Sequence, residues 1–292
     1  MSRYGITDND DINAVIIGIN ELDTKKRVLE LQRRAQIEEL VLHAEFSEKD
    51  ADEALALLAS VKPEHRLDLE ETSERIALCK KFISVFGTNG LYKRDFGVSL
   101  KKSQEYRVGM LENRYSTAAL NAFGSGLPLC SVLYQSFEEV CENIVNSTCD
   151  FGIIPTESSD NGKLLRFYSL INRYDLKINA VSDIEYSDSS ATTRYALVSK
   201  GIEYPESSLG TPDYFEFSIN LHDPQALNFI IYAASLCSMR LHRIDSLPIS
   251  YKDREFLFCP VFEVKDADID TFILYMYLDF PQYTPLGIFP RI

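Results

Sequence analysis

The sequence predicts a multi-domain protein with an all-α N-terminal module, a central α/β domain and a C-terminal α+β domain. The chain has 292 residues, which is long for one hydrophobic core. Its first part shows helical periodicity and no strand pattern. After residue 105 strand and helix patterns alternate, and the order changes again near residue 212. We expect domains at residues 1–88, 105–203 and 212–292.

The N-terminal module is predicted to contain three helices. In residues 12–44 apolar side chains recur three or four positions apart and no proline intervenes, which indicates one long helix. A second helix is expected to start after Ser47 and to end at Pro63, and a third to run from about Asp68 to Phe86. The glycine-containing segment at residues 87–105 is the predicted linker.

The central domain is predicted to be a mostly parallel sheet, because strand and helix patterns alternate through it. In such sheets ligands bind beyond the carboxyl ends of the strands. The stretch DFGIIPTESSDNG, Asp150–Gly162, has this character. Its first residues are apolar, Pro155 is expected to end the strand, and oxygen-bearing side chains follow in a predicted loop.

The C-terminal domain has the predicted order β-α-β-β-α-β, which is the ferredoxin-like arrangement. Strand patterns cover 214–221, 240–249, 255–264 and 286–290, and helical patterns lie after the first and third strands. A domain of about eighty residues without a catalytic cluster is typical of a binding or dimerising module.

Composition excludes several classes of partner. The net charge of −14 and the pI near 4.8 argue against binding to nucleic acid and to anionic membranes, both of which require a surplus of lysine and arginine. We find neither a signal-peptide pattern nor an apolar run of about 18 residues, so the sequence predicts a soluble cytoplasmic protein. The cysteines form no CxxC pair and no His lies at a zinc-ligand spacing, which predicts no metal site.

Three polar clusters in the central domain could bind a ligand. Tyr115 and Ser116 stand at a strand-to-helix junction, where Ser116 either caps the helix or helps to hold an anion. Glu157 and Ser159 belong either to a solvated loop or to a site. Arg194, after Thr193, is either an exposed edge charge or a planar donor to a carboxylate.

The order of these clusters resembles the prephenate dehydratase family, and the three-part layout resembles the bifunctional chorismate mutase–prephenate dehydratases. The segments that carry the resemblance are VGMLENRYSTAALNAF, SFEEVCENIVNSTCDFGIIPTESSDNG and TTRYALVSK. The C-terminal module is similar to the ACT domain of that family through DPQALNFI, RIDSLPI and LGIFPRI. The resemblance implies a periplasmic-binding-protein-like single lobe followed by an ACT domain.

The resemblance also implies an activity, the decarboxylating dehydration of prephenate to phenylpyruvate, without a cofactor. Prephenate is a dianion, so its enzyme needs cationic or N–H groups for the carboxylates and a proton donor for the departing hydroxyl. The residues implied are listed by role: catalytic Thr193, Arg194 and Glu157; substrate-binding Ser116, Ser159 and Tyr115; and effector-binding Ala226, Leu227, Asp245 and Ser246. Phenylalanine is the implied effector, and a homodimer is expected.

Departures from the family pattern leave an alternative open, namely a catalytically degraded homologue that binds a regulator, ligand or partner. Residues 110–113, Met-Leu-Glu-Asn, replace the family's Gly-Pro-x-Gly turn. Only residues 163–192 stand where the family carries a second lobe. In INELDTKKRVLELQRR, which resembles the first helix of helical chorismate mutases, Arg33 keeps one arginine position. Ile16 and Ala44 stand at two other positions where those mutases have a cationic residue. The loss of these cationic groups should greatly weaken mutase activity.

Overall fold

The computed structural model describes most of the chain, and its described residues form two compact units. One unit comprises those of Met1–Glu64 with Ser84–Phe86, and the other those of His65–Ile83 with Gly87–Ile292. The third helix thus groups mainly with the later part of the chain. The residues described are 9–43, 48–60, 69–87, 96, 105–160, 162–185, 191–202, 209–221, 223–250 and 255–292.

The first unit contains the two predicted N-terminal helices, α1 (Asn9–His43) and α2 (Glu48–Ser60). Helix α1 has 35 residues and is therefore about 52 Å long. The guanidinium of Arg33 donates a hydrogen bond to the carbonyl of Ser60, at 3.4 Å, and so connects the two helices.

The second unit combines helices with one large sheet. Its helices are α3 (Leu69–Phe86, of which the last three residues group with the first unit), α4 (Arg114–Phe123), α5 (Phe137–Val145), α6 (Leu165–Tyr174), α7 (Ala226–Leu236) and α8 (Ile269–Asp279). Its strands are β1 (Tyr106–Leu111), β2 (Leu129–Tyr134), β3 (Phe151–Ser158), β4 (Gly162–Lys163), β5 (Lys177–Glu185), β6 (Thr192–Ser199), β7 (Tyr214–Asn220), β8 (Arg240–Ser250), β9 (Glu255–Glu263) and β10 (Thr284–Phe289).

Strands β1–β6 form a lobe whose sheet contains both parallel and antiparallel strands, so the prediction of a mostly parallel sheet was wrong. Its strand order is β2-β1-β3-β6-β5, with the short β4 paired to β3. Strand β1 is parallel to β2 and β3, whereas β6 is antiparallel to β3 and β5. The reason is that only six residues, 186–191, join β5 to β6, and a parallel crossover needs a dozen or more.

The C-terminal strands and helices follow the predicted β-α-β-β-α-β order. Their strands lie in the order β10-β7-β9-β8 and are all antiparallel. Strand β10 also pairs with β5 in parallel, at Gly287 and Ile178, so lobe and C-terminal half share one continuous sheet. At Gly287 a Cβ atom would lie 2.3 Å from the carbonyl oxygen of Ile178, and only glycine permits this approach.

The two faces of the sheet have separate cores. Helix α4 packs on one face of the lobe, where Phe123 joins a cluster with Phe151 and Leu197. Helices α5 and α6 cover the other face, where a second cluster extends from Ile144 to Phe289 in the C-terminal half. That second core therefore spans both halves.

The helical face of the C-terminal half is covered by α3. Aromatic side chains of β7 pack on Phe272 of α8, which places α8 on this face. Buried Arg75 of α3 pairs with buried Asp279 of α8, with Nε and Oδ2 3.0 Å apart. The hydroxyls of Ser73 and Tyr232 are 2.9 Å apart and link α3 to α7.

Strand β3 does not end at Pro155, contrary to prediction. It continues to Ser158 and pairs with β6 beyond the proline. A register shift between Pro155 and Glu157 marks a β-bulge, which lets the strand continue past a residue without an N–H group. Glu157 and Ser158 are therefore strand residues rather than loop residues.

Candidate functional site

The candidate site lies where the ends of β3 and β6 run side by side. Glu157 stands opposite Arg194, and Ser158 stands opposite Thr193. Strand β5 flanks β6 on its other side and places Asp183 opposite Arg194. Three charged side chains on three neighbouring strands therefore meet in one row across the sheet.

Arg194 is bound by two carboxylates of its own lobe. Its Nε lies 2.7 Å from Oδ1 of Asp183, and its Nη2 lies 3.2 Å from Oδ2. Its Nη1 lies 3.3 Å from Oε2 of Glu157. Burial is the largest influence on the pKa of Arg194 and acts to lower it, but the bonds to Asp183 and Glu157 prevail and raise the pKa.

Glu157 is shared between the lobe and the C-terminal half. Arg243 of β8 binds both of its carboxylate oxygens, with Nη1–Oε1 at 2.5 Å and Nη2–Oε2 at 2.8 Å. This bidentate geometry is the strong form of an arginine–carboxylate pair. The hydrogen bonds from Glu157 are the main cause of a raised pKa of Arg243. The Nε of Arg243 lies 2.8 Å from Oδ2 of Asp245.

Asp183 is shared in the same way, between Arg194 and Arg291. Burial acts to raise the pKa of Asp183, but the two arginines outweigh that effect and lower it. We use the term ion-pair network for the chain of contacts Arg243–Glu157–Arg194–Asp183–Arg291. It joins β8, the lobe and Arg291, which follows β10.

A small cavity adjoins the network at the junction of the two halves. Its volume is about 20 Å³, which is close to the space needed for one water molecule and far below that of an aromatic acid. Beside it the buried hydroxyl of Tyr168 donates to Oε1 of Glu216, at 2.7 Å, and burial raises the pKa of Tyr168. Its lining residues are Thr156, Glu157, Tyr168, Ile178, Val181, Arg194, Tyr214, Glu216, His242, Arg243, Val261 and Phe289.

Thr193 and Arg194 lie on opposite faces of the sheet. Side chains alternate along a strand, and Tyr195 and Leu197 belong to the core beneath α4. Thr193 is buried on that side, whereas Arg194 points with Ala196 toward the core shared by the two halves. The two predicted catalytic residues are neighbours in sequence but face different layers.

The start of helix α4 is occupied by the side chain of Asn113, which is the N-cap. Its Oδ1 accepts hydrogen bonds from the amides of Tyr115, at 3.0 Å, and Ser116, at 2.8 Å. Its Nδ2 donates to Oγ of buried Ser116, at 2.9 Å. The expectation that Ser116 caps the helix was wrong, because the helix begins at Arg114 and places Ser116 in its first turn.

Ser159 holds the ends of β3 and β6 together. Its Oγ accepts a hydrogen bond from the amide of Thr192, at 3.1 Å, and its amide donates to the carbonyl of Thr192, at 2.9 Å. Glu157 and Arg194 are therefore in contact near the point where Ser159 joins Thr192, whereas Tyr115 and Ser116 belong to the turn that starts α4.

The four predicted effector residues lie toward one end of the C-terminal sheet. Ala226 and Leu227 open helix α7, shortly after the end of β7. Ser246 of β8 pairs with Phe258 of β9, and Phe258 pairs in turn with Ile219 of β7. Strand β9 lies between β8 and β7, the strand that precedes α7, and the carboxylate of Asp245 lies beside Arg243.

The residues that complete the ion-pair network were missed by sequence reasoning. Arg243 and Arg291 come from elements that the sequence assigned to a separate domain, and Asp183 carries no motif. Of the positions compared with chorismate mutases, Arg33 contacts Ser60 and Ile16 is exposed, whereas Ala44 lies outside the described residues.

Among the described residues no helix has the length and apolarity needed to cross a membrane. The same residues contain no group of three or more His, Cys, Asp or Glu side chains placed to hold a metal ion.

Comparison with known proteins gives structural similarity at low sequence identity. No protein-family model matches the chain, and no curated protein does. The structure of prephenate dehydratase from Streptococcus mutans matches with 18% identity and a TM-score of 0.52, over 64% of this chain and 98% of that one. GqqA, described as a novel type of quorum quenching acylase, matches with 16% identity and a TM-score of 0.50, over 63% and 94%.

A third structure is prephenate dehydratase in complex with L-Phe from Arthrobacter aurescens. It matches with 14% identity and a TM-score of 0.49, over 63% of this chain and 90% of that one. Identities this low show a shared fold and not a shared reaction, and the first two structures carry different activities in their descriptions. Over 64% of its length the chain therefore has the architecture of the solved prephenate dehydratase from Streptococcus mutans.

Proposed function

We propose that the protein is a catalytically silent relative of prephenate dehydratase that acts as a regulatory, ligand- or partner-binding protein. The observation that carries the proposal is the state of Arg194. Each of its three guanidinium nitrogens hydrogen-bonds to a carboxylate of the same chain, and one of those carboxylates is also bound by Arg243. The group expected to hold a substrate carboxylate is thus already neutralised.

Electrostatics support this proposal. A substrate carboxylate that bound Arg194 would have to displace Glu157 or Asp183, and the displaced carboxylate would remain within a few ångströms of the incoming anion. Like charges at such a distance repel, most strongly where water is scarce. The second predicted anion position offers no compensation, because Asn113 already accepts hydrogen bonds from two amides at the start of α4.

The limited space beside Arg194 also supports the silent-relative proposal. Only residues 163–192 stand where the family pattern would insert a second lobe, and the C-terminal half packs against the β5 side of the sheet. The cavity that remains beside Arg194 has room for about one water molecule. A substrate would need this junction to open.

Prephenate dehydratase activity is the second candidate, and the contact between Glu157 and Arg194, close to the end of β3 where Ser159 bonds to Thr192, favours it. In that case Arg194 would hold a carboxylate of prephenate, and Thr193 would position or protonate the leaving hydroxyl as carbon dioxide is lost. Tyr115, Ser116 and Ser159 would line the cleft and Glu157 would order its edge. The helical module would be mutase-like and the C-terminal half an ACT domain, in a homodimer.

The test of the two candidates is phenylpyruvate formation from prephenate by the purified full-length chain. We expect the chain alone to form no phenylpyruvate. When an intact dehydratase is added, we expect no more phenylpyruvate than that enzyme forms by itself. Turnover that disappears in the double variant Thr193→Ala/Arg194→Ala would overturn the silent-relative proposal. Turnover that survives in that variant would remove these two residues from the site.

Ligand binding is tested separately by thermal unfolding. If phenylalanine binds the loop before α7, millimolar phenylalanine should raise Tm by mass action, and phenylpyruvate serves as the comparison ligand. The variant Leu227→Glu places a carboxylate at the start of α7 and should abolish the shift. An unchanged Tm at millimolar phenylalanine would remove this amino acid from the proposal.

A further inference from the structure

Strand β2 forms one end of the sheet, and it carries none of the features that usually protect such a strand. The strand order begins with β2, so β1 is its only neighbour among the described strands. Its sequence LCSVLY, Leu129–Tyr134, contains no charged residue, no proline and no glycine, and the side chain of Leu133 is 51% exposed. Strands at the end of a sheet readily pair with other chains unless charges, prolines or bulges prevent it.

The direction of each backbone group in β2 follows from its pairing with β1. The two strands are parallel, and Tyr106 stands opposite Leu129. The amide of Tyr106 donates to the carbonyl of Pro128, at 2.8 Å. In a parallel ladder alternate residues bond to the same neighbour. The even-numbered residues of β2 therefore bond to β1, and the odd-numbered residues direct their backbone groups outward.

The outward-facing residues are Leu129, Ser131 and Leu133, and we call their backbone groups the β2 edge. They offer three N–H and three C=O groups in a row, and no residue that the structure describes is hydrogen-bonded to them. The register between β1 and β2 has no shift, so this edge is regular. It has the form to which a further strand can be added.

The strand at the opposite end of the sheet is protected. Strand β8 carries Arg240, Arg243 and Asp245 and contains Pro248, and its pairing with β9 has two register shifts. Charges, a proline and bulges of this kind hinder edge-to-edge association. The same sheet thus blocks pairing at one end and permits it at the other.

The charge distribution favours a second copy of the chain as the occupant of the β2 edge. The net charge is −14, so two copies repel each other wherever acidic surfaces meet. Residues 115–137, which include β2, contain no charged residue, although 25% of all residues are charged. Two copies can approach through this segment without that repulsion. The segment also has no acidic residue with which to attract a basic partner.

One antiparallel register uses every group of the β2 edge. With a two-fold axis at Ser131, this residue pairs with Ser131 of the second copy, and Leu129 pairs with Leu133. Each of these pairs exchanges two N–H···O bonds, so all outward N–H and C=O groups are bonded. The side chains of Leu129 and Leu133 meet on one face of the joined sheet, which covers the exposed Leu133.

We propose that the β2 edge pairs with the β2 edge of a second copy of this chain, antiparallel and with its two-fold axis at Ser131. The pairing is isologous and joins two ten-stranded sheets into one. A single pair of strands makes a small interface, so the association should depend on protein concentration. The proposal goes beyond the proposed function and is independent of it, because β1 separates β2 from the strands that carry the ion-pair network.

The first test is disulfide cross-linking of the full-length variant Val132→Cys. In the proposed register this position lies opposite the native Cys130 of the other copy, with the Cα atoms about 4.5 Å apart, which suits a disulfide. Oxidised glutathione should therefore produce a covalent dimer, visible by non-reducing electrophoresis. In forming each disulfide the two thiols lose two protons and two electrons, and one oxidised glutathione is reduced to two glutathione thiols.

Leu133→Cys is the matched control, because its side chain lies on the opposite face of β2 from Cys130. It should give no covalent dimer. The unchanged chain should give none either, since the two copies of Cys130 lie roughly 8 Å apart across the axis, too far for a disulfide. Val132→Cys protein that does not cross-link, or equal cross-linking of all three proteins, would overturn the proposal.

The second test removes the hydrogen bonds at the axis. Ser131→Pro deletes an outward N–H group that β1 does not use, so β2 itself should remain intact. Analytical ultracentrifugation of the full-length protein should show association weakened at least about tenfold, because the central pair loses both of its bonds. Ser131→Ala keeps the N–H group and is the matched control, which should associate like the unchanged chain. Circular dichroism verifies that both variants stay folded.

Two results of the second test would overturn the proposal. One is association that is equally strong in Ser131→Pro and Ser131→Ala, which would place the contact between copies elsewhere. The other is a mass that does not rise with protein concentration, which would mean that the β2 edge is covered by its own chain or by a different partner.

Discussion

The junction between the lobe and the C-terminal half consists of two contrasting contacts. At one, β10 approaches β5 so closely that Gly287 has no room for a Cβ atom. At the other, Arg243 reaches Glu157 through a pair of long, partly exposed side chains. The first contact is dry and backbone-to-backbone, whereas the second is ionic and adjustable.

The two kinds of contact have different consequences, one for stability and the other for ligand binding. Close apolar contacts fix the geometry of the two halves and tolerate little change. Partly exposed ion pairs add little net stability, but they determine which groups remain available to a ligand. We infer that the Gly287 contact holds the junction together and that the ion-pair network determines what can bind in the adjoining cavity.

The largest effect is expected from Gly287→Ala, which disrupts the close contact between β10 and β5. The new Cβ would lie 2.3 Å from the carbonyl oxygen of Ile178 and 2.9 Å from its Cβ, so the strands must separate. We expect a loss of about 3 kcal/mol in the free energy of unfolding, measured by urea denaturation. Gly18→Ala makes the same chemical change in open space within α1 and should instead stabilise that helix by up to about 1 kcal/mol. Equal effects of the two substitutions would contradict the close-approach argument.

The ionic contact is tested by a double-mutant cycle on Glu157 and Arg243. Each single alanine substitution should cost about 2 kcal/mol, because it removes the bidentate partner of a partly buried charge. The double variant should cost clearly less than the sum of the two. Arg240→Ala on the same strand is the control. Arg240 pairs with Glu263 while 78% exposed, and its loss should cost about 0.5 kcal/mol or less. Strict additivity would show that Glu157 and Arg243 do not interact in solution.

The smallest effect is expected from Asp183→Asn, and it depends on pH. The pKa of Asp183 is lowered in the folded state, so its contribution is present above the unfolded pKa of about 3.9 and is lost as pH falls through the folded value. Near pH 7 the variant should be about 1 kcal/mol less stable. As pH falls through the lowered folded-state pKa of Asp183 the difference should shrink. Urea denaturation across this range measures both, and a constant difference at every pH would refute the assignment.

Local patterns made most of the element order predictable. The alternation in YFEFSIN is that of a half-buried strand, and β7 has the expected face of buried phenylalanines. Ser136 and Asp268 cap the helices that follow them, as residues of their types commonly do. These features depend on neighbours in the chain, which a sequence displays directly.

Some features of the site were readable and were misinterpreted. Thr193 and Arg194 are adjacent in a strand, and the two-residue period alone puts them on opposite faces. Asn113 is itself among the best N-cap residues and stands directly before α4. The bulge that carries β3 past Pro155 has no comparable local signal.

The rest of the site could not be read from the sequence, because its partners are distant along the chain. Glu157 and Arg243 are 86 residues apart, and Asp183 and Arg291 are 108 apart. Which of many charged residues meet is determined by the way β10 joins β5. The local pattern of residues along the sequence does not show which of these distant charged residues form pairs.

The pairing of β10 with β5 has a consequence for synthesis on the ribosome. The backbone of Val181 exchanges hydrogen bonds with Pro290 and Ile292, so β5 acquires its second neighbour only after about one hundred further residues have been made. Until then β5 is an unpaired edge, which is where strands of different chains join by mistake. Vectorial synthesis therefore leaves the lobe incomplete until β10 has been made.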